Sequence, residues 1–213
     1  MPKLYLLGGE NIHRRSAKQV NEKAFADAGG QPNVLVFPWA RAHFDNQYGK
    51  RKLLTDYFRS LGAENIAFAE YDHLEDITQK LAQSNLVYLT GGQPSVLIER
   101  MKSMELDRRL RSYRGVIVGR SAGALALCNR CLITCRSNSK LKIVEGLGFV
   151  GITMKAHYKH SKEEALKQFS LKETFFAVPA KSALVCEDGE LSSIGRVYVF
   201  SNGERQIFRK TLL

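Results

Sequence analysis

The chain has 213 residues, of which 44% are hydrophobic and 25% charged, and these proportions fit one soluble globular domain spanning residues 1–213. They argue against a membrane protein, because no run approaches the roughly 20 apolar residues that a span requires, and the short apolar run near the N-terminus fits a buried strand better than a signal peptide. The net charge of +11 comes from basic residues scattered along the chain without a nucleic-acid-binding motif, so it favours an acidic substrate over nucleic acid. We therefore expect a cytoplasmic protein with no membrane or nucleic-acid partner.

Short apolar runs alternate with amphipathic segments through the first 127 residues. The pattern predicts strands at 4–7, 34–37, 66–69, 86–89 and 116–118. It predicts helices at 16–28 with Ser16 as the N-cap, at 47–61, 74–81, 95–101 and 106–113, and from Ala122 onwards. Such regular alternation favours a parallel sheet with helices on both faces.

Strand-like segments dominate after about residue 141. They lie at 149–154, 175–178, 182–186, 196–200 and 206–208, and one helix at about 162–171 interrupts them. The turns at 187–189 and 201–203 are typical of hairpins. We therefore expect a single three-layer α/β domain with a mainly parallel sheet and antiparallel C-terminal strands.

Three of the four cysteines, Cys128, Cys131 and Cys135, are closely spaced, and the fourth is Cys186. The paired spacing of structural zinc sites is missing and no histidine lies nearby, so we expect reduced, structural thiols. Cys128 also follows an apolar helical run, where cysteine behaves as a small hydrophobic residue. The sequence predicts neither a metal nor a cofactor.

The sharpest chemical signal is Gly119-Arg120-Ser121-Ala122-Gly123, which follows the apolar strand at 116–118 and opens a helix. This is the Gly-x-Ser-x-Gly form of a nucleophile elbow, in which small neighbours allow a strained strand-to-helix turn. The turn exposes the hydroxyl of Ser121 at the carboxyl end of the strand, and the N–H of Ala122 is well placed to bind an oxyanion. A tight packing turn is the alternative, but the strand–helix context favours a nucleophile.

A second signal, Thr90-Gly91-Gly92, also lies between a buried strand and a helix, and the N–H of one of these glycines could be the second oxyanion donor. The base is expected to be His157, since it directly follows the apolar strand at 149–154 and so lies at a strand's carboxyl edge. His160 is the alternative, and His13 and His43 also follow strands.

These motifs resemble a known family. The runs Leu86-Val87-Tyr88-Leu89-Thr90-Gly91-Gly92-Gln93, Gly119-Arg120-Ser121-Ala122-Gly123-Ala124, Glu145-Gly146-Leu147-Gly148-Phe149 and Ala156-His157-Tyr158 occur in the order found in peptidase E (aspartyl dipeptidase) and cyanophycinase. The resemblance implies a fold similar to class I glutamine amidotransferases. It also implies that Ser121 is the nucleophile, His157 the base, and Gly92 and Ala122 the oxyanion donors.

The chain departs from that family in two places. The stretch matching the family's triad carboxylate, residues 134–140, has no acid, so Glu145, Glu187, Asn138 or Ser137 would have to orient the histidine. The family's arginines after the histidine are also missing.

The loop after His157 offers His160, Lys162 and Lys167 in place of those arginines. We expect a serine-type peptidase acting on small peptides, with N-terminal aspartyl dipeptides as candidate substrates, as a monomer or homodimer. A silent binding module and a small-ester or amide hydrolase are the alternatives.

Overall fold

The computed structural model describes residues 1–41, 51–134 and 140–210. The strands are β1 (Lys3–Leu7), β2 (Asn33–Phe37), β3 (Asn65–Phe68), β4 (Leu86–Leu89), β5 (Val116–Arg120), β6 (Cys128–Thr134), β7 (Leu141–Glu145), β8 (Val150–Ala156), β9 (Phe175–Val178), β10 (Ala183–Glu187), β11 (Glu190–Ile194), β12 (Tyr198–Ser201) and β13 (Glu204–Ile207). The helices are α1 (Lys18–Asp27), α2 (Arg51–Ser60), α3 (Leu74–Gln83), α4 (Pro94–Ser103), α5 (Leu106–Arg111), α6 (Ala122–Leu127) and α7 (Glu163–Ser170), the last preceded by a 3₁₀ turn at His160–Lys162. None of the described helices is long and apolar enough to cross a membrane.

The first sheet has seven strands in the order β11-β10-β1-β5-β4-β2-β3. β1, β5, β4, β2 and β3 run parallel, while β10 pairs antiparallel with β1 and β11 antiparallel with β10. The carboxyl ends of β1, β5 and β4 therefore meet at one edge of the sheet, and residues that follow these three strands are brought together there.

Both faces of this sheet are covered, which explains why its central strands are apolar along their whole length. The side chains of α1 and α2 pack with one set of strand residues, among them Tyr5, Val118 and Tyr88. On the other face, α3 to α6 pack with the alternate set, which includes Leu6 and Ile117. The predicted three-layer arrangement with antiparallel strands at its end is present.

A second sheet of six strands, in the order β13-β12-β9-β8-β6-β7, was not foreseen as separate. It shares an apolar core with α6 and the first sheet through residues such as Met154 and Val178, and α7 packs Leu166 against it. Most of the strands predicted after residue 141 belong to this second sheet, and it carries β8, the strand that leads to His157.

Several local predictions need correction. The helix that opens at Ala122 ends at Leu127, and Cys128 begins β6, because residues 128–134 pair with both β7 and β8. Ser16 is not a helix cap: α1 begins at Lys18, and the hydroxyl of Ser16 accepts a hydrogen bond from the backbone N–H of Asn11 instead. The first part of the helix predicted at 47–61 lies outside the described residues, which show it from Arg51.

Candidate active site

Ser121 lies on a strained turn between β5 and α6. Its backbone has φ 55° and ψ −104°, a conformation that few residues other than glycine adopt. The turn is held at both ends, because the N–H of Ser121 donates to the carbonyl of Leu7 at 2.8 Å and its carbonyl accepts from the N–H of Leu125 at 2.9 Å. The side chain is thereby fixed at the carboxyl edge of the sheet.

The small residues of the elbow are required by close backbone contacts. A Cβ on Gly119 would lie 2.6 Å from the backbone nitrogen of Ala124, and a Cβ on Gly123 would lie 2.4 Å from the carbonyl oxygen of Leu89. Both distances are far inside van der Waals contact, so α6 can follow β5 this closely only with glycine at these two positions.

His157 follows the last residue of β8 and lies beside Ser121. The Ser121 Oγ and the His157 Nε2 are 2.6 Å apart, within hydrogen-bonding distance. The backbone N–H of His157 donates to the carbonyl of Gly8 at 3.0 Å, and its φ of 54° is again in the left-handed region. A Cβ on Gly9 would lie 2.3 Å from the imidazole Cε1, so the ring rests directly on the glycine backbone that follows β1.

The two predicted oxyanion donors lie on the same pocket as Ser121. Ala122 is the first residue of α6, where a backbone N–H has no partner within the helix. Gly92 follows β4, and a Cβ there would lie 1.9 Å from the carbonyl oxygen of Ala40, so glycine is required. Among the described residues neither N–H has a backbone partner, which leaves both available to a ligand.

The pocket itself is a cavity of about 360 Å³ between the two sheets. Its walls combine apolar side chains with a few polar groups, a composition typical of small-molecule sites. The N-terminus of α4, the start of α6 and the ends of β6 and β8 contribute the lining, which includes Ser121, His157, Gln93, Leu125, Leu132 and Lys155. A ligand there would contact the Ser121 hydroxyl directly.

Positive charge surrounds His157. Protein atoms packed around the ring disfavour its charged form and are the largest cause of a pKa below the ordinary 6.5, and the cations Lys155, Arg120 and Lys159 lower this pKa further. Lys155 is itself perturbed, since burial and the nearby Lys162 lower its pKa to about 8. The imidazole is therefore neutral at pH 7 and able to accept a proton.

No carboxylate of the described residues reaches the ring. Within residues 1–41, 51–134 and 140–210, the only hydrogen bond of the imidazole is the one to Ser121. Glu145 pairs with Arg130 at 3.4 Å on the outer strands of the second sheet. Glu187 pairs with Lys3 at 2.8 Å, at the opposite edge of the first sheet, and Ser137 and Asn138 lie outside the described residues. Neither glutamate can therefore orient His157.

The other histidines are placed elsewhere or lie outside the described residues. His13 is exposed after β1, His73 immediately precedes α3, and His43 falls in the part not described. His160 takes part in a surface cluster in which its Nδ1 contacts Arg205 at 2.8 Å and Glu163 at 3.3 Å. It is thus held away from the Ser121 hydroxyl.

The loop cations proposed for substrate binding are only partly available. Lys167 pairs with Glu163 at 3.3 Å, and His160 joins the same carboxylate. The cations closest to the site are instead Lys155 and Arg120, which the sequence analysis did not single out. A signal existed for both, since each lies close to a catalytic residue in the chain: Lys155 precedes His157 by two residues, and Arg120 directly precedes the nucleophile.

Cys128, Cys131 and Cys186 are buried free thiols, and Cys135 lies outside the described residues. Burial raises the pKa of Cys131 to about 12 and that of Cys128 well above its ordinary value. Both thiols are therefore protonated and unreactive at neutral pH, which fits a packing role.

A serine on a strained strand-to-helix turn, with a histidine at its hydroxyl and free N–H groups on the same pocket, is the arrangement of a serine hydrolase. Residues 4–194 match the model of Peptidase family S51. The chain belongs to this family and is a serine peptidase of the peptidase E type, as the resemblance predicted.

Solved structures agree on the fold. A peptidase from an acI-B1 Actinobacterium is 18% identical with a TM-score of 0.70, and the match covers 98% of this chain and 94% of that one. A protein designated a peptidase E from Listeria monocytogenes EGD-e is also 18% identical with a TM-score of 0.70, covering 91% of this chain and 98% of that one. The predicted fold class is confirmed. A comparison with curated proteins found no match to the chain.

Proposed function

We propose that the protein hydrolyses small peptides through an acyl-enzyme on Ser121, with His157 as general base and then general acid. The observation that carries this proposal is the 2.6 Å contact between Ser121 Oγ and His157 Nε2 on the elbow of a family S51 chain. N-terminal aspartyl dipeptides are the proposed substrates, and the buried, unpaired thiols fit a cytoplasmic location.

The proposed reaction has two halves. His157 Nε2 takes the proton of the Ser121 hydroxyl as Ser121 Oγ attacks the peptide carbonyl. The N–H groups of Ala122 and Gly92 bind the resulting oxyanion. The peptide C–N bond then breaks as the imidazolium returns the proton to the leaving amine. In the second half a water molecule gives a proton to His157 while its oxygen attacks the acyl carbonyl. The bond between the acyl carbon and Ser121 Oγ then breaks as the imidazolium returns the proton to Oγ, which releases the carboxylic acid and regenerates the hydroxyl.

The orientation of His157 would come from the backbone rather than from an acid. Its N–H is bound to Gly8, and its ring is packed on Gly9, which together limit the movement of the imidazole. The nearby cations do not stabilise the imidazolium that forms during the reaction, whereas a carboxylate would. Loss of the triad acid lowers the rate on the order of 10⁴-fold in a well-studied protease, so slow turnover is expected.

A catalytically silent relative that only binds peptides is the second candidate, and the missing carboxylate favours it. A fluorophosphonate separates the two, because it labels a serine only where a base activates the hydroxyl. We expect labelling of wild type at Ser121, and neither labelling nor turnover in Ser121→Ala. Ser112→Ala, which removes an exposed hydroxyl immediately after α5, is the control and should behave as wild type.

Labelling at another serine, or full turnover by Ser121→Ala, would overturn the assignment of the nucleophile. An unlabelled wild type with intact folding would favour the binding module.

Substrate choice is tested by comparing kcat/KM for Asp-X, Asn-X and Ala-X dipeptides at low and at moderate salt. A preference for Asp-X that fades as salt rises would indicate recognition by exposed cations. Equal rates on all three would remove the acidic substrate and leave the hydrolase intact.

A further inference from the structure

Among the residues that the structure describes, Arg120 is a buried cation with no hydrogen-bond or ion-pair partner, directly beside the nucleophile. Only 8% of the residue is exposed, and its Nε is buried without a hydrogen bond. Throughout the described part of the chain, no hydrogen bond or ion pair reaches its guanidinium. Burial of an unpaired charge is strongly unfavourable, so a side chain of this kind is expected to meet an anion that is absent from the free protein.

The guanidinium faces the space in front of Ser121. A Cβ on Gly91 would lie 3.4 Å from the Cβ of Ser121 and 3.7 Å from the guanidinium carbon of Arg120. Since residue 91 is glycine, this position is empty of side-chain atoms. The side chain of Ser121 and the guanidinium of Arg120 therefore approach the same side of Gly91, which places no side chain between them.

Arg120 and the 360 Å³ pocket lie on different sides of Ser121. Side chains alternate along β5, so Arg120 shares the face of Val116 and Val118, which pack with α1 and α2. The pocket lies on the other face, against α6 and the second sheet, and Arg120 does not line it. A peptide with its scissile bond at Ser121 would extend in both directions.

We propose that Arg120 binds a carboxylate of the substrate on the side of Ser121 opposite the pocket. A guanidinium suits this role because it grips a carboxylate with two parallel N–H donors. An aspartyl dipeptide offers two carboxylates whose carbons lie three bonds from the scissile carbonyl carbon: the side chain of the N-terminal aspartate and the C-terminal carboxylate of the second residue. This proposal deepens the proposed peptidase function and rests on it, because that function places the scissile bond at Ser121.

The first test compares kcat/KM for an Asp-X dipeptide, its Asn-X analogue and its C-terminal amide, in wild type and Arg120→Gln. We expect the variant to lose roughly 10- to 100-fold on the substrate that carries the recognised carboxylate, and to stop distinguishing it from the matching neutral analogue. Sensitivity to the Asn-X exchange identifies the side chain, and sensitivity to the amide identifies the C-terminus. Lys159→Gln, which removes an exposed cation near His157, is the control and should keep the discrimination.

The second test needs no turnover. Fluorophosphonate labelling of Ser121 is measured with increasing succinate, or with succinamide as its neutral analogue. Succinate should protect wild type at concentrations at which succinamide does not, and Arg120→Gln should lose this protection. Arg120→Lys keeps the charge but not the two-pronged grip, so its protection should be several-fold weaker; it serves as the readout if the glutamine variant does not fold.

These measurements separate the two proposals. Protection that depends on Arg120, in an enzyme that hydrolyses none of the peptides, would keep the carboxylate site and overturn the peptidase substrate. Equal protection by succinate and succinamide in wild type, or equal protection of wild type and Arg120→Gln by succinate, would overturn the carboxylate site even if peptides are hydrolysed. A uniform loss on all three peptides with a lowered Tm would show that Arg120 is structural.

Discussion

Gly123→Ala tests whether close packing of α6 on β4 positions the nucleophile. The added Cβ would lie 2.4 Å from the carbonyl oxygen of Leu89 and 2.7 Å from its Cβ. Ordinary contacts of a Cβ begin near 3.4 Å, so α6 has to move by about 1 Å, and Ser121 directly precedes this helix. Because a misplacement of about 1 Å can cost 10²-fold in rate, we expect fluorophosphonate labelling of Ser121 to slow by about that factor.

The expected loss of stability is smaller than the loss of reactivity. Overpacking costs about 1–3 kcal/mol, and alanine returns up to about 1 kcal/mol through its better helix propensity. Subtracting about 1 kcal/mol leaves a net cost of about 0–2 kcal/mol, which corresponds to a Tm up to roughly 8 °C lower for a chain of this size. The variant therefore remains folded while its nucleophile is displaced, and the two effects are measured separately by thermal unfolding and by labelling.

Gly151→Ala is the matched control for this substitution. No atom lies within 4 Å of the position its Cβ would take, on an exposed site of β8. It should label at the wild-type rate with an unchanged Tm. Wild-type labelling of Gly123→Ala would refute the claim that the contact between α6 and β4 sets the geometry of the elbow.

Two further predictions concern His157. Activity requires the neutral imidazole, so kcat/KM should fall as the pH drops through a value below 6.5. Lys155 is charged in this range and lowers the pKa of His157, so Lys155→Met should move the fall in kcat/KM to higher pH. The control Lys102→Met, on α4, should leave the pH profile unchanged. An unmoved profile would contradict the electrostatic role of Lys155. Gly9→Ala would place a Cβ 2.3–2.5 Å from the imidazole Cε1 and Nδ1, so the ring must leave Ser121 and kcat/KM should fall about 10²-fold, with wild-type activity as the contrary result.

The elbow and the parallel sheet could be predicted from sequence because their determinants are local. An apolar strand followed by Gly119, Ser121 and Gly123 leaves few backbone conformations, and a strand–helix alternation has few folded solutions. His157 could be named because it directly follows an apolar strand, but β8 lies in the second sheet, so its contact with Ser121 joins the two sheets and does not follow from the parallel sheet alone.

The second sheet could not be predicted in the same way. Cys128 continues the apolar run of α6, and only pairing with β7 and β8, both later in the chain, makes residues 128–134 a strand. Tertiary pairing of this kind overrides local propensity. Arg120 was missed for a related reason: arginine is normally exposed, and its place next to the nucleophile does not reveal that it is 8% exposed and has no partner among the described residues.

The positive charge around His157 and the proposed carboxylate site have one electrostatic consequence in common. Arg120 is among the cations that lower the pKa of His157, so a carboxylate bound to its guanidinium neutralises part of the charge that opposes imidazolium formation. The substrate would then supply some of the negative charge that a triad acid supplies elsewhere in the family. Because the imidazolium forms only during the reaction, this contribution belongs to the transition state and raises kcat, whereas simple anchoring of the peptide lowers KM alone.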